Sequence, residues 1–67
     1  MKYPYYVVYR YGNGQLFRTQ ISGTSLKEVR HCAKAILDPL YQKQLVIVLY
    51  TEPYKSKIVE ILEFEDK

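Results

Sequence analysis

The segment Gly12-Asn13-Gly14 lies between two runs of alternating residues and constrains the fold more than any other feature of the chain. Side chains alternate between the two faces of a strand, so residues that recur at every second position predict a strand. The recurring residues before the segment are Tyr3, Tyr5, Val7, Tyr9 and Tyr11, and those after it are Phe17, Thr19 and Ile21. Glycine and asparagine tolerate the positive φ that tight hairpin turns require. Residues 3–22 are therefore predicted to form a β-hairpin.

The next segment has the features of a capped helix. Ser25 and Glu28 form a capping-box pattern, in which each side chain can accept from a free backbone N–H at the helix start. Apolar residues then recur at helical spacing, at Leu26, Val29, Ala33, Ile36 and Leu37. Asp38-Pro39 ends the pattern because the residue before a proline is displaced from helical geometry. A helix of about 13 residues is predicted, with these apolar side chains on its buried face.

The last third of the chain contains one clear strand and one ambiguous segment. Residues 45–50 are all apolar or aromatic, which is typical of a strand covered on both faces. Residues 51–56, with Pro53, are interpreted as a connection of six residues. Residues 57–64 fit either a strand or a C-terminal helix, and the strand is favoured because it would close a second hairpin.

The predicted fold is a single α+β domain over residues 1–67 with the order ββαββ. It would have a four-stranded, mostly antiparallel sheet with one helix packed on one face, and the alternative replaces the last strand by a C-terminal helix. One short helix covers only one face of such a sheet, whereas residues 45–50 and the tyrosines make the other face apolar as well. That second face is predicted to be an interface, either with a second copy of the chain or with another protein.

Composition narrows the class of protein. Cys32 is the single cysteine, so no disulfide forms within the chain, and a reducing cytoplasm is the expected location. Lys2 is followed by tyrosines and Pro4 rather than by the apolar segment of a signal peptide. The longest apolar run, residues 45–50, is too short to span a bilayer. We therefore expect a small soluble protein with no membrane association.

Two surfaces are candidates for binding. Tyrosine combines an apolar ring with a polar tip, which suits a partly hydrated contact surface. The candidate protein-binding face consists of Tyr3, Tyr5, Tyr9 and Tyr11, with Tyr50 or Tyr54 extending it. Two other interpretations remain open: the rings could stack on nucleic-acid bases, or they could simply pack across strands and stabilise the sheet. Arg10 and Arg18 have opposite parity to Tyr9 and Phe17, which argues against a mixed aromatic and arginine surface.

The second candidate is a basic stripe on the helix, formed by Lys27, Arg30, His31 and Lys34. These positions lie within about 100° of one another on a helical projection and could contact phosphates. The other interpretation is a solvated helix face. The net charge is +3, with +5 on residues 1–50 (seven basic against two acidic) and −2 on residues 51–67 (three against five). A basic body with an acidic end can attract either phosphate or an acidic protein.

Signatures of catalysis are missing from the sequence. The Gly12-Asn13-Gly14 segment lacks the third glycine of a dinucleotide motif, and His31 has no acidic residue spaced to orient it beside a nucleophile. Cys32 borders the apolar side of the helix and is predicted to be a small buried residue. The acidic residues Glu60, Glu63, Glu65 and Asp66 are interpreted as a solvated end rather than a metal site. We therefore expect a non-enzyme without cofactor, metal or small-molecule substrate.

Short motifs are similar to those of HicB-type antitoxins. They are Met1-Lys2-Tyr3-Pro4, residues 23–29 (Gly-Thr-Ser-Leu-Lys-Glu-Val) and Ala33-Lys34-Ala35, and the resemblance covers about half of the chain. The proline-glycine-cysteine segment of that family and its DNA-binding extension are absent. The resemblance implies that a scaffold with this order of elements can act as a protein-binding inhibitor.

Two functional hypotheses follow. The first is a small protein-interaction regulator or inhibitor, of the kind carried by phages or mobile elements and homodimeric, which binds through the tyrosines. The alternative is a nucleic-acid-binding protein that uses the basic helix stripe together with tyrosine stacking.

Overall fold

The computed structural model describes residues 3–38 and 43–64, and it confirms the predicted ββαββ order. The four strands form one antiparallel sheet in the order β2-β1-β3-β4, so the first and third strands lie at its centre. Residues 57–64 form strand rather than helix up to Glu63, so the alternative with a C-terminal helix is wrong. The elements are β1 (Tyr5–Gly12), β2 (Gln15–Gly23), α1 (Leu26–Ala35), β3 (Gln44–Glu52) and β4 (Lys55–Glu63).

The first hairpin turns through two residues. Asn13 and Gly14 have φ values of 52° and 75°, while Gly12 belongs to β1 and pairs with Gln15. Positive φ at both central residues is the requirement of a type I′ turn, whose twist matches that of the flanking strands. A Cβ added at Gly14 would meet no atom within 4 Å, so the backbone conformation alone favours glycine there.

The second hairpin is tighter than predicted. Glu52 pairs with Lys55, so Pro53 and Tyr54 alone form the turn, and the predicted six-residue connection is wrong. An ion pair between the Lys55 Nζ and Glu52 Oε2 atoms, 3.6 Å apart, spans the turn. Both strands continue into the polar segment because backbone pairing requires no apolar side chain.

The helix begins as predicted and ends earlier. The Ser25 Oγ accepts a hydrogen bond from the backbone N–H of Glu28 at 3.4 Å, which is the expected N-cap. The helix ends at Ala35, and the N–H of Ile36 donates to the carbonyl of Ala33 at 3.1 Å. It therefore has 10 residues rather than about 13. Ile36 falls beyond the last turn and is exposed, contrary to its predicted place on the buried face.

The apolar core lies between the helix and one face of the sheet. Val8, Leu45 and Ile47 are fully buried there, together with residues from the helix and from β4. The helix lies against β1 and β2, close enough that a Cβ at Gly23 would be 3.3 Å from the Val29 side chain. The remaining members of this core are Val29, Ala33 and Leu62, with Tyr6, Ile21, Leu26, Leu37 and Val59 packed around them.

The opposite face of the sheet also contains buried residues. Val7 is fully buried and Val46 and Val48 nearly so, although none of them belongs to the core beneath the helix. Successive residues of a strand alternate between the two sides of a sheet, so Tyr5 and Tyr9 project from the same side as Val7. We call this side of the sheet the tyrosine face.

Candidate functional site: the tyrosine face

Strand register brings tyrosines of β1 and β3 together on the tyrosine face. Tyr5 lies directly opposite Tyr50, Val7 opposite Val48, and Tyr9 opposite Val46. Directly opposed residues project from the same face of a sheet and contact each other. Tyr50, which the sequence offered as an extension of the contact surface, is therefore part of the tyrosine face.

Four of the tyrosines form a connected cluster. The Tyr3 and Tyr5 ring centroids are 5.0 Å apart, and the Tyr5 and Tyr50 rings stack at 5.3 Å with an interplanar angle of 15°. The Tyr9 and Tyr50 hydroxyls are hydrogen bonded to each other. We call Tyr3, Tyr5, Tyr9 and Tyr50 the tyrosine cluster.

The cluster explains how valines become buried on the face of the sheet that the helix does not cover. The pair Val7–Val48 lies between the Tyr5–Tyr50 pair and Tyr9 along the strands. A hydrogen bond between the Tyr9 and Tyr50 hydroxyls therefore has to pass over these two valines. The rings shield the valines from water, as the helix does on the other side.

The candidate tyrosines consequently divide into two groups. Tyr5 and Tyr9 are half-buried in the cluster, so cross-strand packing accounts for much of their surface. Tyr3 and Tyr11 are more exposed, at 40% and 52%. Tyr54 is fully exposed in the turn between β3 and β4.

The pKa values of two phenols in the cluster lie above the ordinary value for tyrosine. The hydrogen bond with Tyr9, followed by partial burial, raises the pKa of Tyr50. Partial burial and then a hydrogen bond with Tyr3 raise the pKa of Tyr5. The Arg18 guanidinium opposes both increases, because a positive charge favours the ionised phenol.

Arg18 belongs to the tyrosine face, contrary to the interpretation from parity. It lies directly opposite Tyr9 in the pairing of β1 with β2, so both side chains project from the same side. Arg10 instead lies opposite Phe17, and its guanidinium carbon is 4.5 Å from the centre of that ring. Each arginine thus lies opposite an aromatic residue of the neighbouring strand.

An irregularity in β2 shifts its register against β1 between Val7 and Tyr9. Val7 lies opposite Ser22 and Tyr9 opposite Arg18, so residues 19–21 all face Val8. The Thr19 hydroxyl donates to the Val8 carbonyl at 2.7 Å and accepts from the N–H of Ile21 at 3.2 Å. This side chain satisfies backbone groups that a regular ladder would have paired.

Apolar side chains that remain exposed flank the tyrosine cluster. Tyr11 and Leu16 form a cross-strand pair at one end of the face, and Leu16 is 45% exposed. Ile58 and Ile61 lie opposite Val48 and Val46 on the other side, and they are 55% and 53% exposed. The tyrosine face therefore combines a packed centre with an apolar border open to solvent.

The basic stripe lies on the other side of the molecule, on the helix. Lys27, His31 and Lys34 are exposed there. Arg30 instead forms an ion pair with the sheet, its Nε 2.6 Å from the Glu60 Oε2. The stripe borders an open depression of about 650 Å³, and all of the residues that line it belong to the helix or its N-cap. The structure therefore does not bring the stripe and the tyrosines together.

The remaining sequence candidates take ordinary positions. Cys32 is exposed, contrary to its predicted burial, because the buried arc of the helix centres on Val29 and Ala33. Glu63 accepts a hydrogen bond from the Gln44 side-chain amide at 3.0 Å, while Glu65 and Asp66 lie outside the described residues. Within residues 3–38 and 43–64, no three acidic, histidine or cysteine side chains cluster as metal ligands would.

In the part of the chain that the structure describes, no helix is long and apolar enough to cross a membrane.

Comparison with known proteins gives no relative for this arrangement. No protein-family model matches the chain, and no curated protein or solved structure is significantly similar to it. The resemblance to HicB-type antitoxins therefore supports no family assignment, and the functional argument depends on the geometry of the tyrosine face.

Proposed function

We propose that this chain is a small non-enzymatic protein-interaction module, a regulator or inhibitor that binds a partner protein through the tyrosine face. The observation that carries the proposal is the exposed apolar border around the tyrosine cluster. Leucine and isoleucine side chains about half exposed beside packed aromatic rings form the kind of patch that marks contact sites on small proteins.

The charges of the face favour a protein over a polynucleotide. In the cross-strand pairs along the face, the charges of Arg18 and Glu63 cancel, and at the β3–β4 turn those of Glu52 and Lys55 cancel in an ion pair. A polynucleotide needs several cations to displace its counterions. Protein interfaces instead concentrate tyrosine, arginine and aliphatic residues and are depleted of lysine at the centre.

The hypothesis of nucleic-acid binding is supported by a different observation, the exposure of Lys27, His31 and Lys34 along one side of the helix. A single strand lying on these residues would be separated from the tyrosines by the helix and the sheet. In that arrangement the helix would act through phosphate contacts alone, without stacking on the tyrosine face.

Variants of the border residues test the proposal without disturbing the cluster. A double variant Tyr11→Ser/Leu16→Ser changes two exposed, mutually paired residues, whereas substitution of Tyr5 or Tyr9 would confound binding with stability. The matched control is Lys27→Ala/Lys34→Ala on the helix. Wild type and both variants are immobilised, proteins retained from a lysate are identified, and the affinity of each is measured with purified components.

The expected result is a protein that binds wild type and the helix variant equally and the border variant at least about tenfold more weakly. Labelled mixed-sequence oligonucleotides are titrated in parallel at low and moderate salt. Saturable, salt-sensitive oligonucleotide binding that is lost in the helix variant and kept in the border variant would overturn the proposal in favour of nucleic-acid binding.

A further inference from the structure

Arg18 lies where the exposed border of the tyrosine face meets the tyrosine cluster. It is opposite Tyr9 of the cluster in the pairing of β1 with β2, and the border pair Tyr11–Leu16 is two residues away on each strand. Residues two positions apart on a strand project from the same face, about 7 Å from each other. A partner protein that covers this border pair therefore also covers Arg18.

Arg18 forms no ion pair within the part of the chain that the structure describes. The ion pairs found there join the helix to β4 and the two ends of the β3–β4 turn, and Arg18 takes part in neither. Glu63, which offsets Arg18 in the net charge of the face, lies on β4, three strands away. Three strand spacings are about 14 Å, which exceeds the distance of about 8 Å over which salt screens exposed charges. Arg18 is exposed, so water solvates its charge in the free protein.

A partner that covers Arg18 removes water from its guanidinium group. Loss of that water destabilises a complex unless hydrogen-bond acceptors of opposite charge replace it. Arg18 therefore places a requirement on any surface that binds the border of the tyrosine face. A carboxylate meets the requirement, because its two oxygens can accept two parallel hydrogen bonds from a guanidinium.

The tyrosine hydroxyls near Arg18 supply a further donor. Tyr9 and Tyr50 share one hydrogen bond, so the hydroxyl that accepts it keeps its own proton for an outside acceptor. The hydrogen bond with Tyr9 raises the pKa of Tyr50, and the positive charge of Arg18 opposes that increase, as expected of a guanidinium near this pair. A carboxylate bound at Arg18 can thus also accept from a phenol.

We infer that the partner protein presents an aspartate or glutamate side chain to Arg18, where the border meets the tyrosine cluster. The inference rests on the proposed function and adds the chemistry of the group that the face recognises. Apolar side chains of the partner contact Tyr11 and Leu16, and the carboxylate fixes the orientation in which they dock. A phosphate group fits less well, because it carries up to about two negative charges and Arg18 supplies one positive charge.

Peptides selected for binding test this inference without the natural partner. A library of random peptides displayed on phage is selected on immobilised wild type and, in parallel, on Arg18→Gln. Thermal melts check that the variant folds, which we expect because Arg18 is exposed. Peptides selected on wild type should share one acidic position beside apolar residues, and peptides selected on Arg18→Gln should lack it.

A labelled synthetic copy of a selected peptide is then titrated with each purified protein. We expect Arg18→Gln to weaken binding at least about tenfold, and Arg18→Lys to weaken it less, because lysine keeps the charge without the planar fork. Replacing the acidic residue of the peptide by its amide should weaken binding as much, and both changes together no more than either alone. Arg10→Gln should leave binding unchanged, since Arg10 lies over Phe17 on the other side of the same hairpin.

Three outcomes would contradict the inference. Peptides that need Tyr11 and Leu16 but bind Arg18→Gln as tightly as wild type would overturn it and leave the proposed function standing. Tighter binding of a peptide with phosphoserine at the acidic position would also overturn it, since the recognised group would then be a phosphate. Selected peptides that all bind Tyr11→Ser/Leu16→Ser as tightly as wild type would overturn the proposed function, and the inference with it.

Discussion

Val7 and Val8 are adjacent, identical and both fully buried, yet they lie on opposite faces of the sheet. Val8 is buried beneath the helix, in a core shared with Ile47 and Val29. Val7 is buried beneath side chains of its own sheet, because the hydroxyls of Tyr9 and Tyr50 are joined above it. The two valines are thus shielded from water to the same extent by different means.

The difference shows what tyrosine contributes that an aliphatic residue would not. A helix shields the core and turns its polar side outward, so its outer surface is separate from the core. A tyrosine ring shields the valines with one side, while its other side and its hydroxyl remain at the surface. The tyrosine face can therefore stabilise the fold and contact a partner with the same residues.

The largest effect that tests this comparison is the loss of a buried valine from each face. We expect Val8→Ala to lower the free energy of unfolding by about 2–3 kcal/mol, and Val7→Ala by about 1–2 kcal/mol. Both variants lose the same transfer energy, but the penalty also depends on how far the surroundings collapse into the space. The tyrosine rings at the sheet surface can move into the space that Val7→Ala leaves. The helix cannot move as far into the space left by Val8→Ala, because its whole buried face is packed against the sheet.

Urea unfolding of the two variants and wild type measures these differences, provided that the slope with denaturant is shared. Equal losses would show that the tyrosine cluster is as rigid a cover as the helix. A larger loss of unfolding free energy for Val7→Ala than for Val8→Ala would show that the tyrosine cluster is the more rigid cover.

The sequence was sufficient to predict the elements but not the composition of the tyrosine face. Alternation and turn residues predicted the first hairpin and the tyrosines on one side of β1, because those signals are local. Parity within each strand could not place Arg18, since its position opposite Tyr9 depends on pairing with another strand. That pairing follows from the two-residue turn, in which Gly12 pairs with Gln15. The irregularity at residues 19–21 lies beyond it, between Tyr9 and Val7, and has no sequence signal that we recognised.

The same limit applies to the helix. Periodicity assigned Arg30 to the basic stripe, but its side chain forms an ion pair with Glu60, which is 30 positions away in the sequence. Ile36 fitted the apolar spacing, yet the helix ends before it, since the pattern of apolar residues does not show where backbone hydrogen bonding changes.

A smaller effect, confined to the tyrosine face, is a dependence of stability on alkaline pH. Folding raises the pKa of Tyr50, chiefly through the hydrogen bond with Tyr9, so the folded chain holds the phenol proton more tightly than the unfolded chain. This contribution is complete below the pKa of an unfolded tyrosine, about 10. It is lost as the pH rises from there through the higher folded pKa.

We expect Tyr50→Phe to lower the free energy of unfolding by about 1 kcal/mol at neutral pH and by less at alkaline pH. Urea unfolding at a series of pH values measures the convergence. Tyr9→Phe removes the same hydrogen bond and should also flatten the alkaline decline. A decline that persists unchanged in Tyr9→Phe would show that this hydrogen bond is not its cause.

The smallest effect concerns the ion pair between Arg30 and Glu60, the charged contact of the helix face. Both side chains are about one third exposed, so solvent screens their attraction. We expect Arg30→Gln and Glu60→Gln each to lower the free energy of unfolding by about 0.5 kcal/mol, with the double variant no worse than either. Added salt should reduce the difference from wild type.

Lys27→Gln is the matched control, because Lys27 is exposed on the same helix. Thermal melts at low and high salt compare all four variants with wild type. If the helix is held mainly by apolar packing against β1 and β2, the ion pair with β4 adds little, and its loss remains small. A loss as large as that of Val8→Ala would mean that the helix is held by charge as well as by its core, and the two faces would then differ in the forces that cover them.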